Sequence, residues 1–194
     1  MNNRLTTSEH IQLWNACRAD SRDAFSQLYN LFAADLYRYG YNLVRNKPLV
    51  EDCLHTLFLH IYENRDRLGA TDNIRFYLYR ALRRRLLDTV SRSNRLSSEE
   101  YLFDQADFSI PPYEQDVVEQ ELIEQQNRVV RAELNKLPKR QKEILYLVYM
   151  KGLTYQQAAQ VMDISMKTVY NTLKVALTSL RIYVRKSVQQ LGAL

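Results

Sequence analysis

The sequence predicts an all-α fold of two small helical domains joined by an acidic, flexible linker, and three observations carry that prediction. Apolar residues recur at three- and four-residue spacing along most of the chain, the period of helices that bury one face. Only four glycines and four prolines occur in 194 residues, too few for the turns of a β-sandwich or the phosphate loops of Rossmann and Walker-type folds. The formal charge of +5 is also unevenly laid out: 14 Lys+Arg against 10 Asp+Glu in residues 1–92, 3 against 10 in 93–135, and 10 against 2 in 136–194. Basic ends around an acidic middle are the pattern of two nucleic-acid-facing modules with a connector that avoids DNA.

Ile11, Leu13, Trp14 and Cys17 mark a short first helix, with Thr7 or Ser8 as its cap. A second runs from about Ser21 to Val44, with Phe25, Leu28, Tyr29, Phe32, Leu36, Tyr39 and Leu43 on its apolar stripe. Pro48 suits the first turn of a third helix. Its inward face is Val50, Cys53, Leu54, Leu57, Phe58, Ile61 and Tyr62, and it fades near Asn64. Residues 65–72 read as a loop, and Asp72 can cap a fourth helix from Asn73 to about Ser91. That helix and its end carry Arg75, Arg80, Arg83, Arg84, Arg85 and Arg92.

Periodicity fails from Ser93 to Tyr113, a polar stretch ending in Pro111-Pro112, which makes it the linker. Helix resumes over about Glu114 to Asn135, with Val118, Leu122, Val129 and Val130 inward. The chain thus divides into 1–92, a linker over 93–113, and 114–194.

The last third holds the sharpest motif. Leu137-Pro138 opens a helix with Ile144, Leu145 and Val148 inward, and Gly152 is a natural stop. Thr154-Tyr155-Gln156-Gln157 has the form of a capping box, starting a short helix through Met162. Asp163-Ile164-Ser165 is a tight turn, with Ser165 placed to cap the next helix, Met166 to about Val184. Two helices, a three-residue turn, small Ala158 and Ala159, and Ile164 and Val169 as core plugs make a helix-turn-helix. Its second helix would enter the major groove with Lys167, Thr168, Asn171, Thr172 and Lys174 outward. Asn171 is the side-chain type that pairs bidentately with adenine. Thr172 reads equally as an ordinary solvated position, and Tyr170 as packing.

Several function classes are excluded. Cys17 and Cys53 have no C-x-x-C spacing, and His10, His55 and His60 form no triad or metal spacing with them, so neither an enzyme nor a metal or cofactor site is expected. The opening MNNRLTTSEH lacks a signal-peptide core, and the longest apolar run, Ile144 to Met150, is far short of the about 20 residues of a membrane span. A cytoplasmic protein with free thiols is expected.

With these residues in place, the chain from about Asp20 to Arg185 resembles the sigma-70 family of bacterial transcription initiation factors, in particular its extracytoplasmic-function (ECF) group. Ala24-Phe25 through Leu28-Tyr29 and Leu36-Tyr37-Arg38-Tyr39 look like the opening of region 2. Val50 to Tyr62 looks like the helix that binds core polymerase, Ile74 to Asp88 is similar to the helix that melts and reads the −10 element, and Leu137 to Arg181 looks like region 4.

The resemblance implies a factor that binds core RNA polymerase and promoter DNA, with an anti-sigma factor as a further partner. Implied polymerase contacts are Glu51, Asp52, His55, Thr56, Phe58, Leu59 and Tyr62. The loop Arg67 to Asp72 is the implied site for a flipped −10 base, with Asn73, Arg75, Tyr77, Arg80, Arg83 and Arg84 as strand or backbone contacts. Tyr77 reads equally as core. The −35 element falls to Ser165, Lys167, Thr168, Asn171, Thr172 and Lys174.

The chain departs from the family at several places. His55-Thr56 stands for the usual Gln-Glu, Tyr62 for Trp, Arg84 for a common asparagine, Asp163 for the turn glycine, and Val175 for a common arginine. A conventional helix-turn-helix regulator and a helical protein-interaction adaptor are the alternatives. The first would bind duplex DNA without polymerase, and the second would show no salt-sensitive DNA affinity. The 21 residues from Arg92 to Tyr113 span about 25 Å as relaxed coil and up to roughly 70 Å extended. Promoter elements about one and a half DNA turns apart, roughly 50 Å, would need the linker stretched.

Overall fold

Local sequence sets where each helix starts and stops. The computed structural model describes residues 7–92 and 130–191, and every regular element in them is helical. The first stretch contains α1 (Thr7–Arg18), α2 (Arg22–Val44), α3 (Lys47–Glu63) and α4 (Ile74–Arg92). Ser21 caps α2, its Oγ accepting the Ala24 N–H at 3.2 Å, and Asn46 caps α3 through the Leu49 N–H at 3.1 Å. Two expected caps are corrected. Ser8 lies inside α1, and the α4 cap is Asn73 rather than Asp72: its Oδ1 accepts the Phe76 N–H at 2.9 Å while its carbonyl takes the Tyr77 N–H. One residue decides this, because the cap must sit immediately before the first helical residue, Ile74.

The chain divides into two units. In the first, built on α1 to α4, α2 packs against each of the other three helices and α3 packs against α4. Trp14, Leu28, Phe32, Leu36, Tyr39, Leu43, Val50, Leu57, Ile61, Leu78, Leu82 and Leu86 are buried there. At Gly40 on α2 a Cβ would lie 3.0 Å from a Val50 methyl and 3.1 Å from a Leu86 methyl, so the helices come together closely there and any side chain would require those methyls to shift. The expected stripes are slightly too wide. Tyr29 is 45% exposed and Phe25 and Tyr62 are half-buried, because a core formed by neighbouring helices covers less than the full apolar arc.

The second described stretch contains α5, described over 130–136, α6 (Lys139–Leu145), a π-turn over Tyr146–Met150, α7 (Tyr155–Met162) and α8 (Met166–Leu191). α6 packs along α8, and Ile144, Leu145, Val169, Leu173 and Ala176 are buried. The π-turn shifts the helix register by about a residue. Tyr146 and Leu147 are therefore buried, and Val148, expected inward, is only half-buried. Gly152 takes the left-handed conformation (φ +68°), and the Leu153 N–H folds back onto the Leu147 carbonyl at 3.1 Å. The expected linker 93–113 and the expected helix from 114 up to 129 lie outside the described residues, as do Val118, Leu122 and Val129.

α7 begins with the full capping box. Thr154 Oγ1 accepts the Gln157 N–H at 3.1 Å and Gln157 Oε1 accepts the Thr154 N–H at 3.0 Å. Thr154→Ala should cost about 1 kcal/mol, measured as a lower urea midpoint of the full chain. An unchanged midpoint would mean that the box does not form in solution.

Candidate nucleic-acid and polymerase interfaces

The α7–turn–α8 segment is a helix-turn-helix whose turn depends on one residue. Asp163 sits in the left-handed region (φ 56°), the conformation that a glycine would otherwise supply and that Asp tolerates. The Ile164 N–H returns to the Ala159 carbonyl at 3.0 Å. Ser165 Oγ accepts the Thr168 N–H at 3.0 Å and lies 2.8 Å from Thr168 Oγ1. Its hydroxyl thus caps α8, as the sequence also predicts, and the residue is exposed. Ile164, expected as a core plug, is only half-buried, while Val169 is buried.

Opposite Val169, Leu173 and Ala176, the exposed side of α8 presents Lys167, Asn171 and Lys174 at four- and three-residue spacing. Thr168 is exposed beside this row, whereas Thr172 is half-buried on the flank nearer the core. Tyr170, expected to pack, is 57% exposed, and Val175, where an arginine is common, is exposed as well. A helix with two cations and one amide aligned is a shape that a major groove accepts.

On α4 the structure sorts the candidates that sequence could not. Asn73, Tyr77, Arg80 and Arg84 follow at four-, three- and four-residue spacing and share one face, away from the buried Leu78, Leu82 and Leu86. Arg80 and Arg84 are exposed, Arg84 lying 3.8 Å from Asp88 one turn on. Arg83 is half-buried beside the row. Arg75 is half-buried on the side nearer the core, its guanidinium 6.0 Å from the Phe32 ring centre. Tyr77 is half-buried with its ring 5.2 Å from Trp14, and burial pushes its phenol above the usual tyrosine range, with Arg85 opposing. Arg67 and Asp72, in the loop before α4, are exposed.

That loop is anchored to the first helix. Trp14 Nε1 donates to the Gly69 carbonyl at 3.1 Å, Arg18 Nε to the Leu68 carbonyl at 2.6 Å, and Arg65 Nη2 stands 2.5 Å from Asp20.

The α3 candidates divide in the same way. Glu51, Asp52, His55, Thr56 and Leu59 are exposed and Tyr62 is half-buried. Phe58 is 3% exposed, the floor under Tyr29 (4.8 Å) and Phe25 (6.3 Å), so its ring cannot itself meet a partner as expected. The Thr56 hydroxyl donates to the Asp52 carbonyl at 2.7 Å. A groove between α2 and α3 is lined by Tyr29, Ala33, Ala34, Tyr37, Leu54, Glu51 and His55. The α2 side of that groove was not anticipated. The signal available was the Ala33-Ala34 pair, small residues that leave a groove between flanking tyrosines.

Among the described residues no helix is long and apolar enough to cross a membrane.

Comparison with known proteins matches these two stretches in order. The family model for Sigma-70 region 2 covers residues 28–96, and that for Sigma-70, region 4 covers residues 127–180. The chain is 23% identical over 178 residues to the ECF RNA polymerase sigma factor SigK of Mycolicibacterium vanbaalenii, spanning 91% of this chain and 90% of that one. It is 25% identical over 146 residues to the ECF RNA polymerase sigma factor SigM of Bacillus subtilis, spanning 72% and 82%. The fold is similar to that of CnrH, solved with the cytosolic domain of CnrY (TM-score 0.53, 18% identity, 91% and 97% covered). It is equally similar to that of the sigma factor RpoE of Bartonella quintana, solved with the anti-sigma factor NepR (TM-score 0.53, 18% identity, 83% and 96% covered). With both region models matched in the family's order and ECF sigma factors aligned along most of its length, the chain belongs to the sigma-70 family, in its extracytoplasmic-function group.

Proposed function

We propose how this chain carries out the task of its family, directing core RNA polymerase to promoters and initiating transcription there. The observation that supports the reading best is the pair of aligned polar rows, one on α4 and one on α8, each on a separate unit. Residues 1–92 act as the region 2 module, 93–113 as the linker and 114–194 as the region 4 module. Lys167, Asn171 and Lys174 read the −35 element, with Thr168 beside them. Asn73, Tyr77, Arg80 and Arg84 track the −10 strand, and Arg67 and Asp72 flank a base flipped into the loop. Glu51, Asp52, His55, Leu59 and Tyr62 form the docking face for core polymerase.

Opening DNA costs roughly 1.4 kcal/mol per base step in stacking, so exposed bases must be held by stacking and pocket contacts. Two docked modules then raise each other's effective concentration on one promoter. No covalent step falls to this chain, because RNA synthesis belongs to the polymerase, and the protein works in the cytoplasm beside it. The complexes of CnrH with CnrY and of RpoE with NepR support an anti-sigma factor as a further partner.

Run-off transcription on genomic fragments tests the reading. Core polymerase with this protein should start at discrete promoters, and core alone should not. Equal activity in both reactions would overturn it, and tight duplex binding without polymerase would favour a conventional regulator.

A further inference from the structure

We infer that α1 is a latch for the loop between α3 and α4, with Trp14 and Arg18 as positioning residues for capture of an unpaired promoter base. The inference rests on reading that loop as the capture site. A loop outside any helix has no backbone ladder of its own, so its shape must come from specific bonds. At its start the Arg67 and Leu68 N–H groups turn back onto the Asn64 carbonyl at 2.9 and 3.1 Å. At its end Thr71 Oγ1 accepts the Asn73 N–H at 3.2 Å, and Asn73 caps α4.

Between those ends, the Leu68 and Gly69 carbonyls accept from Arg18 and Trp14, whose positions are 50 and 55 residues away in sequence. Fixing two successive carbonyls fixes two successive peptide planes, and so the direction in which the chain leaves Gly69 toward Asp72. Gly69 itself is open, since a Cβ there would meet nothing within 4 Å. Neither crowding nor a left-handed backbone holds the loop at this point, which leaves the two bonds from α1 to do so. A third tie stands at the C-terminal end of α1. Asp20, in the left-handed conformation (φ 71°), meets Arg65, whose guanidinium also lies 4.6 Å from the Tyr62 ring centre. Trp14 serves a second group as well, because its buried ring supports Tyr77 on the strand-tracking row.

The test uses full-length protein assembled with core polymerase and a single-stranded DNA pool of randomised sequence, with the bound fraction sequenced to give the base preference at each position. The latch variant combines Trp14→Phe, which keeps a buried ring against Tyr77 but removes the N–H donor, with Arg18→Met, which keeps the stem but removes the guanidinium. It should reduce the strongest single-position preference about tenfold, within what two hydrogen bonds sustain. Core polymerase affinity should stay within about twofold, because the α2 and α3 docking face is untouched.

Loss of stability alone would lower the amount of active protein without changing which base is preferred, so the preference profile separates positioning from folding. If the double variant fails to bind polymerase, Arg18→Met alone carries the test, since its removal leaves the core side chains in place. A wild-type profile in the latch variant, with the preference lost in Arg67→Ala/Asp72→Ala, would overturn the latch while leaving the capture site standing. A wild-type profile in Arg67→Ala/Asp72→Ala itself would instead overturn the capture reading, and the latch with it.

Discussion

Phe32→Ala should destabilise the first unit by about 3–5 kcal/mol, the range for removing a buried phenylalanine ring. Phe32 is 2% exposed on α2, the helix that packs against each of α1, α3 and α4. Its ring stands 5.5 Å from His10 on α1 and 6.0 Å from the Arg75 guanidinium on α4. Truncation leaves a cavity between helices that cannot close without moving at least one of them, and it strips Arg75 of its aromatic partner. A typical domain has only about 5–15 kcal/mol of stability, so this one change removes a large share of it.

The measurement is unusually clean because the chain has a single tryptophan, and Trp14 is buried in that unit. Its fluorescence during urea unfolding therefore reports the first unit, while helical circular dichroism reports both. The fluorescence midpoint should fall sharply. A midpoint that moves by less than about 1 kcal/mol equivalent would show that the cavity collapses and that the helices are less constrained than their contacts indicate.

The second large effect is expected on α8, where two kinds of side chain should fail in different ways. Asn171→Ala should lose about 1–3 kcal/mol of discrimination at one base pair of the −35 element, since a bidentate amide pairs with adenine and alanine with nothing. Lys167→Ala with Lys174→Ala should weaken binding to all sequences alike and flatten the salt dependence by about 0.9 in log–log slope for each phosphate contact removed. The assay is promoter binding by the assembled holoenzyme over a salt series, with every base substituted at each −35 position. An unchanged slope in the lysine variant would mean that those ammonium groups do not face DNA. An unchanged base profile in the asparagine variant would remove Asn171 from direct readout.

Among the described residues, helix existence and order were legible in the sequence because they depend on local chemistry. The 3.6-residue apolar period, Pro48 in the first turn of α3, the Thr154/Gln157 box and the left-handed Asp163 all act within a few residues of one another. The expected boundaries of 1–92 and 114–194 rest on charge and on the loss of periodicity alone. On α8 the three-residue and four-residue spacing alone aligned Lys167, Asn171 and Lys174, because the side facing solvent is the complement of a clear apolar stripe.

On α4 that logic ran out. Arginines stand all round the helix, and only packing against α2 could assign Arg75 to Phe32 and leave Arg80 and Arg84 outward. Phe58 and Tyr29 were separated for the same reason. Both are aromatic and on apolar stripes, but where α2 packs on α3 Phe58 is buried beneath Tyr29, which stays 45% exposed.

The opening prediction of two helical modules with basic ends was thus fixed by residue order alone, since helix propensity, capping and net charge are short-range or additive properties. What the tertiary structure decided was which groups are free to act. It set Arg75 against Phe32, buried Phe58, opened the groove beside Ala33 and Ala34, and tied the Leu68 and Gly69 carbonyls to α1 across 50 and 55 residues. Those outcomes depend on distances between groups far apart in the chain, which no local pattern encodes.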